Sequence, residues 1–567
     1  MDKTLFSDMS RRDFLSASGA LALGSIAPLS RARDGHAASG LATSNKGMVT
    51  SPHELATEAG QQVLRAGGNA IEAAIAIAAC LNVTYPHFSG FGGDGFMIIS
   101  DRNGKVRTLS GIGQAPAVLP QYGDAIPVRG PGSMLTTAAN VDTLGKAFDI
   151  SRDELAGRMS WAELLKPAIG HARNGFAVTP SERFWMDFRQ KELAQLPAVA
   201  NHFMRDGKPL EIGETFRQPR LADTLETLAV RGYRDFYDGQ LAARIAKGLR
   251  EAGSPLTASD LARTRARIEP PLQVAYRDGV LLANQPPTQG ITTLEIMGIL
   301  ERFDLKRYAE GSADYYHVLV EAVKQAFIDR NRYVADPEFV NVPSTMLLSA
   351  EHLTQRAKAI DMHKALAWPH VFRTGDTVYI GAADAYGNAV SMLQTVYFDW
   401  GSGVMAGDTG ILWHNRGASF SLKPGHPNLL QPGKRPFHTL NPGMYMRNGK
   451  PRILYGTQGA DGQPQTLTAI LTRMIDYGFD PYTALSRPRF LLGKTFSDTR
   501  DTLKLEQDVG QEVLTELARR GHELSPLPAQ SPLSGHPGAI VIEAADAAGP
   551  RFSGAHDPRS DGRALGA

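Results

Sequence analysis

A single cysteine, Cys80, is all the thiol chemistry this chain carries. That excludes an intramolecular disulfide and argues against a cysteine-based metal site. Its Ala/Ile-rich surroundings make it a small buried hydrophobe. Charge of one sign is scarce too. Lys and Arg number 60 against 58 Asp and Glu, a net +2, which gives no reason to expect a nucleic-acid or anionic-membrane partner. Internal repeats and low-complexity tracts are absent. The apolar stretch from Leu15 to Leu29, broken by Gly19 and Gly24, is too short and interrupted to span a bilayer as a helix. Two apparent cofactor motifs fail on context. Gly90 to Gly95 fits G-x-G-x-x-G, but the order is helix, glycines, strand, the reverse of a dinucleotide site. His53-Glu54 begins H-E-x-x, but Thr57 stands where a second His would ligate zinc. No cofactor and no metal is expected.

What is present is a soluble globular composition, 42% apolar and 21% charged over 567 residues. That length suits several average domains or one large layered body. Ser10-Arg11-Arg12-Asp13-Phe14-Leu15 reads as a twin-arginine export signal, with a small-residue cleavage site at Ala37-Ala38. Residues 1–38 are therefore expected to be a signal peptide, and the mature protein periplasmic or secreted, with no membrane insertion. Ser51-Pro52-His53-Glu54 predicts a helix start with Ser51 as N-cap. Asn69, with Glu72 three residues on, predicts a second helix over Ala70 to Asn82, apolar all round and so buried. Helices are also expected over Asp223 to Arg231 and Ala313 to Arg330, and an exposed loop over Trp368 to Asp376. Helical runs first and short strands later suit an α+β or layered sandwich class.

The most informative residue is Thr377. It follows the turn-prone Arg373-Thr374-Gly375-Asp376 and opens an alternating run, Val378, Ile380, Ala382, which reads as a strand. Asp384 to Asn388 is a turn signal, and Ala389 to Tyr397 a second strand. With the turn centred at Tyr386, Thr395 falls opposite Thr377, so two hydroxyls share one face. A Thr at a strand start can be just a β-branched residue fitting a pleat. If the chain is cut between Asp376 and Thr377, the same residue holds a hydroxyl and an α-amine titrating near pH ~8. It can then attack an amide without help from a His.

The runs TVYIGAADAYGNAVS (from Thr377), GSGVMAGDTGILWHN (Gly401 to Asn415), SPHELATEAGQQVLRAGGNAIEAAIAIA (Ser51 to Ala78), GFGGDGFMI (Gly90 to Ile98), PGKRPFHTLNPGM (Pro432 to Met444), GTQGADGQPQT (Gly456 to Thr466) and HDPRSDGRALG (His556 to Gly566) together resemble the gamma-glutamyltransferase family. The resemblance implies an N-terminal nucleophile hydrolase fold, a four-layered αββα sandwich. It implies self-cleavage at Asp376–Thr377 into subunits spanning 39–376 and 377–567 that stay associated as one body. It further implies a small-molecule amide substrate and an acyl ester on Thr377, resolved by water or by an amine. Thr395 would assist, and the N–H groups of Gly459 and Ala460 would form the oxyanion hole. Without the cut, the chain would be a periplasmic binding protein without chemistry.

The chain also departs from the family. The Arg that binds the substrate α-carboxylate is Ile112 here, and the Asp on its α-amine is Ser419. The serine pair is His438-Thr439, and an Asn two residues past the second Thr is Tyr397. Losing a bidentate Arg–carboxylate contact removes one of the stronger polar contacts available. That pattern resembles the amidohydrolases and acylases of the family, whose substrates include oxamate and glutaryl-type amides. Arg416, Lys434 and Arg435 are the cations left to hold a carboxylate, with Ser419, His438 and Thr439 as further substrate-binding candidates.

Overall fold

The computed structural model describes residues 40–368, 376–493, 500–546 and 549–567. The expected signal peptide lies outside them. Fourteen strands build two seven-stranded sheets. In chain order they are β1 (Ala42–Ser44), β2 (Gly47–Ser51), β3 (Asp94–Ser100), β4 (Val106–Gly111), β5 (Arg267–Glu269), β6 (Leu272–Tyr276) and β7 (Gly279–Ala283). These are followed by β8 (Asp376–Asp384), β9 (Ala389–Tyr397), β10 (Gly443–Arg447), β11 (Lys450–Thr457), β12 (Pro537–Asp546), β13 (Gly549–His556) and β14 (Arg563–Gly566). One sheet runs β1-β13-β12-β11-β10-β7-β6 and the other β14-β2-β8-β9-β3-β4-β5.

Strand alternation assigns the layers. Val378, Ile380 and Ala382 of β8 pack with α2 (Ala70–Thr84) in one core. Tyr379 and Ala383 point the other way, into the space between the sheets, with Phe96, Leu393, Leu440, Met444 and Ile540. The outer face of the other sheet packs Tyr445, Ile453 and Tyr455 against α3 (Gly290–Leu300), α4 (Ala313–Tyr333) and α5 (Gln463–Ile475). Helix, sheet, sheet, helix is the four-layered αββα sandwich.

The second helix begins as expected. Asn69 and Glu72 form a reciprocal capping box, and every residue of α2 is buried. The first start is corrected. Ser51 ends β2, and His53 caps α1 (Glu54–Arg65), its Nδ1 accepting from the Leu55 N–H. The Ser51 hydroxyl is taken by the His53 carbonyl and by Thr57. The Trp368–Asp376 stretch is not an exposed loop at its ends. Trp368 is half-buried and donates to Asp501, and Asp376 already belongs to β8; residues 369–375 lie outside the described residues. The helix expected from Asp223 begins earlier, at Pro219, and α4 runs on to Tyr333.

The C-terminal tail is locked by buried charge. Asp557 pairs with Arg489 and Arg559, and Arg559 pairs with Glu506 at 2.5 Å; all four are fully buried. Arg489 also donates to the Gly535 carbonyl at 2.9 Å. Breaking one member of such a set leaves a buried charge uncompensated. Arg559→Met strands Glu506 and should lower unfolding free energy by about 3–5 kcal/mol, read from denaturant midpoints; a loss below about 1 kcal/mol would mean the network is not holding the tail.

Candidate active site

The β8–β9 hairpin carries the site. Its register runs Ala383↔Ala389 to Val378↔Gln394, centred on Tyr386, and leads to Thr377 beside Thr395. There it breaks: Asp376 is already opposite Tyr397, so β9 holds one extra residue at this step. Such a bulge re-aims side chains and ends pairing. Tyr397 takes φ 80°, a left-handed backbone uncommon for a residue with a β-carbon. The Thr395 hydroxyl accepts from the Tyr397 N–H at 2.7 Å, which closes the bulge.

Thr377 is buried, at 1% exposure, and its Oγ1 accepts a hydrogen bond from Gln463 Nε2 at 3.1 Å. Gln463 is the first residue of α5. Its own Oε1 accepts from the Asn441 N–H at 3.3 Å, so the amide cannot flip without losing a partner. The loop before α5 holds Gly459 at φ 127° and Ala460 at φ 47°. Glycine adopts the first freely; the second is uncommon for a residue with a β-carbon, and strain of that kind clusters at functional sites. Among the described residues, neither the Gly459 nor the Ala460 N–H donates to a protein acceptor. Gln289 fixes the loop by donating at 2.7 Å to both the Ala460 and Thr439 carbonyls. Arg330 in turn holds Gln289 and pairs with Asp461 at 3.3 Å.

A second group lies alongside. Arg416 is fully buried, with its guanidinium 3.7 Å over the Tyr397 ring. Among the described residues its guanidinium makes one hydrogen bond, a long 3.4 Å contact from Nη1 to Thr439 Oγ1. Burial pushes the guanidinium down to about 10, which leaves it charged at neutral pH. His438 stands between Asp94 and the backbone. Its Nε2 lies 3.2 Å from Asp94 Oδ2, and its Nδ1 accepts from the Leu440 N–H. Burial, then Arg416, pushes His438 down to about 3, so it is neutral and donates to Asp94. Burial alone would raise the Asp94 carboxyl; His414, the His438 hydrogen bond and Arg416 hold it below the ordinary value.

The remaining candidates have structural partners. Ser419 donates to the Phe437 carbonyl. Lys434 donates to the Pro427 carbonyl, and Arg435 pairs with Asp336 at 2.6 Å. Ile112 sits in an apolar wall with Phe96, Tyr379, Leu393 and Leu440. Thus Thr377 lies beside Thr395 and is tied through Gln463 to the helix that follows the Gly459-Ala460 step, Arg416 lies between Tyr397 and Thr439, and His438 is held against Asp94. Gln463, Gln289 and Asp94 were not singled out from the sequence. A polar residue just after the Gly459-Ala460 step, at a helix start, was the available signal for Gln463.

Two facing sheets between helical layers, with a hydroxyl at the start of a central strand, define an N-terminal nucleophile hydrolase fold. The gamma-glutamyltranspeptidase family model matches residues 56–567, and the chain belongs to that family of enzymes. It is 41% identical to the glutathione hydrolase-like YwrD proenzyme of Bacillus subtilis, over 92% of this chain and 98% of that one. It is also 41% identical to the oxamate amidohydrolase proenzyme of Klebsiella pneumoniae, over 92% and 99%. Cephalosporin acylase from Bacillus halodurans superposes with a TM-score of 0.85 at 31% identity, over 96% of this chain and 99% of that one.

The Gln463 contact yields a test. Gln463→Met keeps the bulk and removes the donor to Thr377. Turnover should fall roughly tenfold, the ~1–1.5 kcal/mol scale of one hydrogen bond, with melting little changed. Unchanged turnover would make Gln463 a packing residue only.

Proposed function

We propose that this chain is a self-processing amide hydrolase with Thr377 as its nucleophile. In the precursor, the Thr377 hydroxyl attacks the Asp376 carbonyl carbon, and the peptide bond becomes an ester on Oγ1. Water hydrolyses that ester, leaving the Asp376 carboxylate and a free α-amine on Thr377. The amine then takes the hydroxyl proton during attack on a substrate amide. The oxyanion is met by the Gly459 and Ala460 N–H groups. The leaving amine departs with a proton, and water releases the acid from the acyl ester. The observation that carries this reading is the Thr377 hydroxyl held by Gln463, the residue that opens the helix after two positive-φ residues, Gly459 and Ala460, whose N–H groups have no protein acceptor among the described residues.

Hydrolysis is placed ahead of transfer to an amine. The family's amino-acid clamp is replaced by Ile112 in an apolar wall and by Ser419, whose hydroxyl is engaged. This favours small acid amides such as oxamate, the substrate in the name of one 41%-identical relative, over glutathione-like γ-glutamyl amides. The γ-glutamyl reading is the second one, supported by the equally similar glutathione hydrolase-like relative. Export through the twin-arginine route places the mature enzyme in the periplasm.

Wild-type protein should run as two bands on a denaturing gel, the smaller beginning at Thr377 by N-terminal sequencing. Thr377→Ala should give one band and no turnover of oxamate or γ-glutamyl anilides. An active, uncut Thr377→Ala protein would overturn the reading.

A further inference from the structure

We infer that Arg416 is the substrate-anion residue of this site, and that the enzyme selects small amides carrying a carboxylate a few bonds from the scissile carbonyl. This rests on Thr377 being the reactive residue.

A buried guanidinium is costly unless paired and hydrogen-bonded. Arg416 has no exposure, yet its Nε and Nη2 have no hydrogen-bond partner and no carboxylate lies within ion-pair distance among the described residues. The neighbouring cations differ. Arg435 has Asp336, Arg330 has Asp461, and Lys434 has the Pro427 carbonyl. Of the three arginines Arg416 alone has no carboxylate partner, and its 3.4 Å contact to Thr439 is weaker than the 2.7 Å hydrogen bond that holds Lys434. Stacking on Tyr397 fixes the plane of the guanidinium and leaves an edge bearing two donors, the geometry a carboxylate accepts bidentately.

The position limits the ligand. Tyr397 is the cross-strand partner of Asp376, the residue before Thr377. Thr439, which meets Nη1, shares the Gln289 amide with Ala460 of the oxyanion step. The anion site therefore adjoins the Gly459-Ala460 step, which suits a ligand whose carboxylate is a few bonds from the scissile carbonyl. A cavity of about 350 Å³ reaches Asp461, next to Ala460, and is lined by Arg330, Lys423, His426, Asn428 and Phe437. Arg330 is already paired with Asp461, which leaves Lys423 as the further cation of the lining and suits approach of an anion. Ile112, aligned with the family's own arginine, packs with Phe96, Tyr379, Leu393 and Leu440 and offers no second cation.

The test uses processed wild-type enzyme, Arg416→Met and Arg416→Lys. Substrates are the monoamides of unbranched dicarboxylic acids with zero to three methylenes, each beside its neutral diamide. In Arg416→Met, kcat/KM for the acid amides should fall about 100-fold while the diamides change less than about threefold. Arg416→Lys, which keeps charge and loses the fork, should still lose about tenfold on the acid amides. Melting of Arg416→Met should be unchanged or raised, since an unpaired buried charge has been removed. Free dicarboxylates should raise the melting temperature of wild type and not of Arg416→Met. Equal losses on acid amides and diamides, or dicarboxylate stabilisation that survives in Arg416→Met, would overturn the inference and leave the Thr377 mechanism standing. Arg416-dependent stabilisation by dicarboxylates in a protein that turns over no amide would overturn the mechanism and leave the anion site standing.

Discussion

Everything in this site depends on one irregular step in a regular sheet. β8 and β9 pair in strict register from the Tyr386 turn down to Val378, and one extra residue then enters β9. The regular part buries Val378, Ile380 and Ala382 on the helical side, which fixes the register because a one-residue slip would turn that face outward. The irregular part frees Thr377 from ordinary pairing and forces Tyr397 into a left-handed conformation. The Thr395 hydroxyl answers the displaced Tyr397 N–H. Tyr397 in turn supplies the ring on which Arg416 stacks. The Asp376–Thr377 bond, the second threonine and the cation are thereby coupled through Thr395, Val396 and Tyr397 of one strand.

The other half of the site comes from the facing sheet. β11 ends at Thr457, the chain turns through Gly459 and Ala460, and α5 begins at Gln463. The inter-sheet space is therefore where a hydroxyl from one sheet meets amides delivered by the other. The packing on both sides is apolar and tight, which keeps these few polar groups at fixed distances. The buried Arg489–Asp557–Arg559–Glu506 set reaches the same place, since Arg489 holds Gly535 and a β-carbon on Gly459 would lie 3.7 Å from Gly535.

Local features were legible in the sequence because local rules decide them. The Asn69–Glu72 cap, the buried helix after it, and the hairpin about Tyr386 all depend on neighbours within a few positions. The Ser51 cap failed because β2 claims Ser51 as a strand end paired with Arg563 of β14, a tertiary demand that no local signal carries. Gln463 meets Thr377 across 86 residues and His438 meets Asp94 across 344, so neither contact leaves a spacing to read. Arg416, Lys434 and Arg435 were equivalent as letters. Only packing separates an arginine with a buried aspartate from one with none.

Acyl transfer on the Thr377 hydroxyl, as proposed, passes through a covalent ester that can be trapped. The most direct measurement is mass spectrometry of the enzyme quenched during turnover of an activated acyl anilide, followed by peptide mapping. One acyl mass is expected, on the peptide whose first residue is Thr377, lost on standing in water. An acyl group on any other residue, or turnover with no covalent adduct when release is rate-limiting, would contradict it.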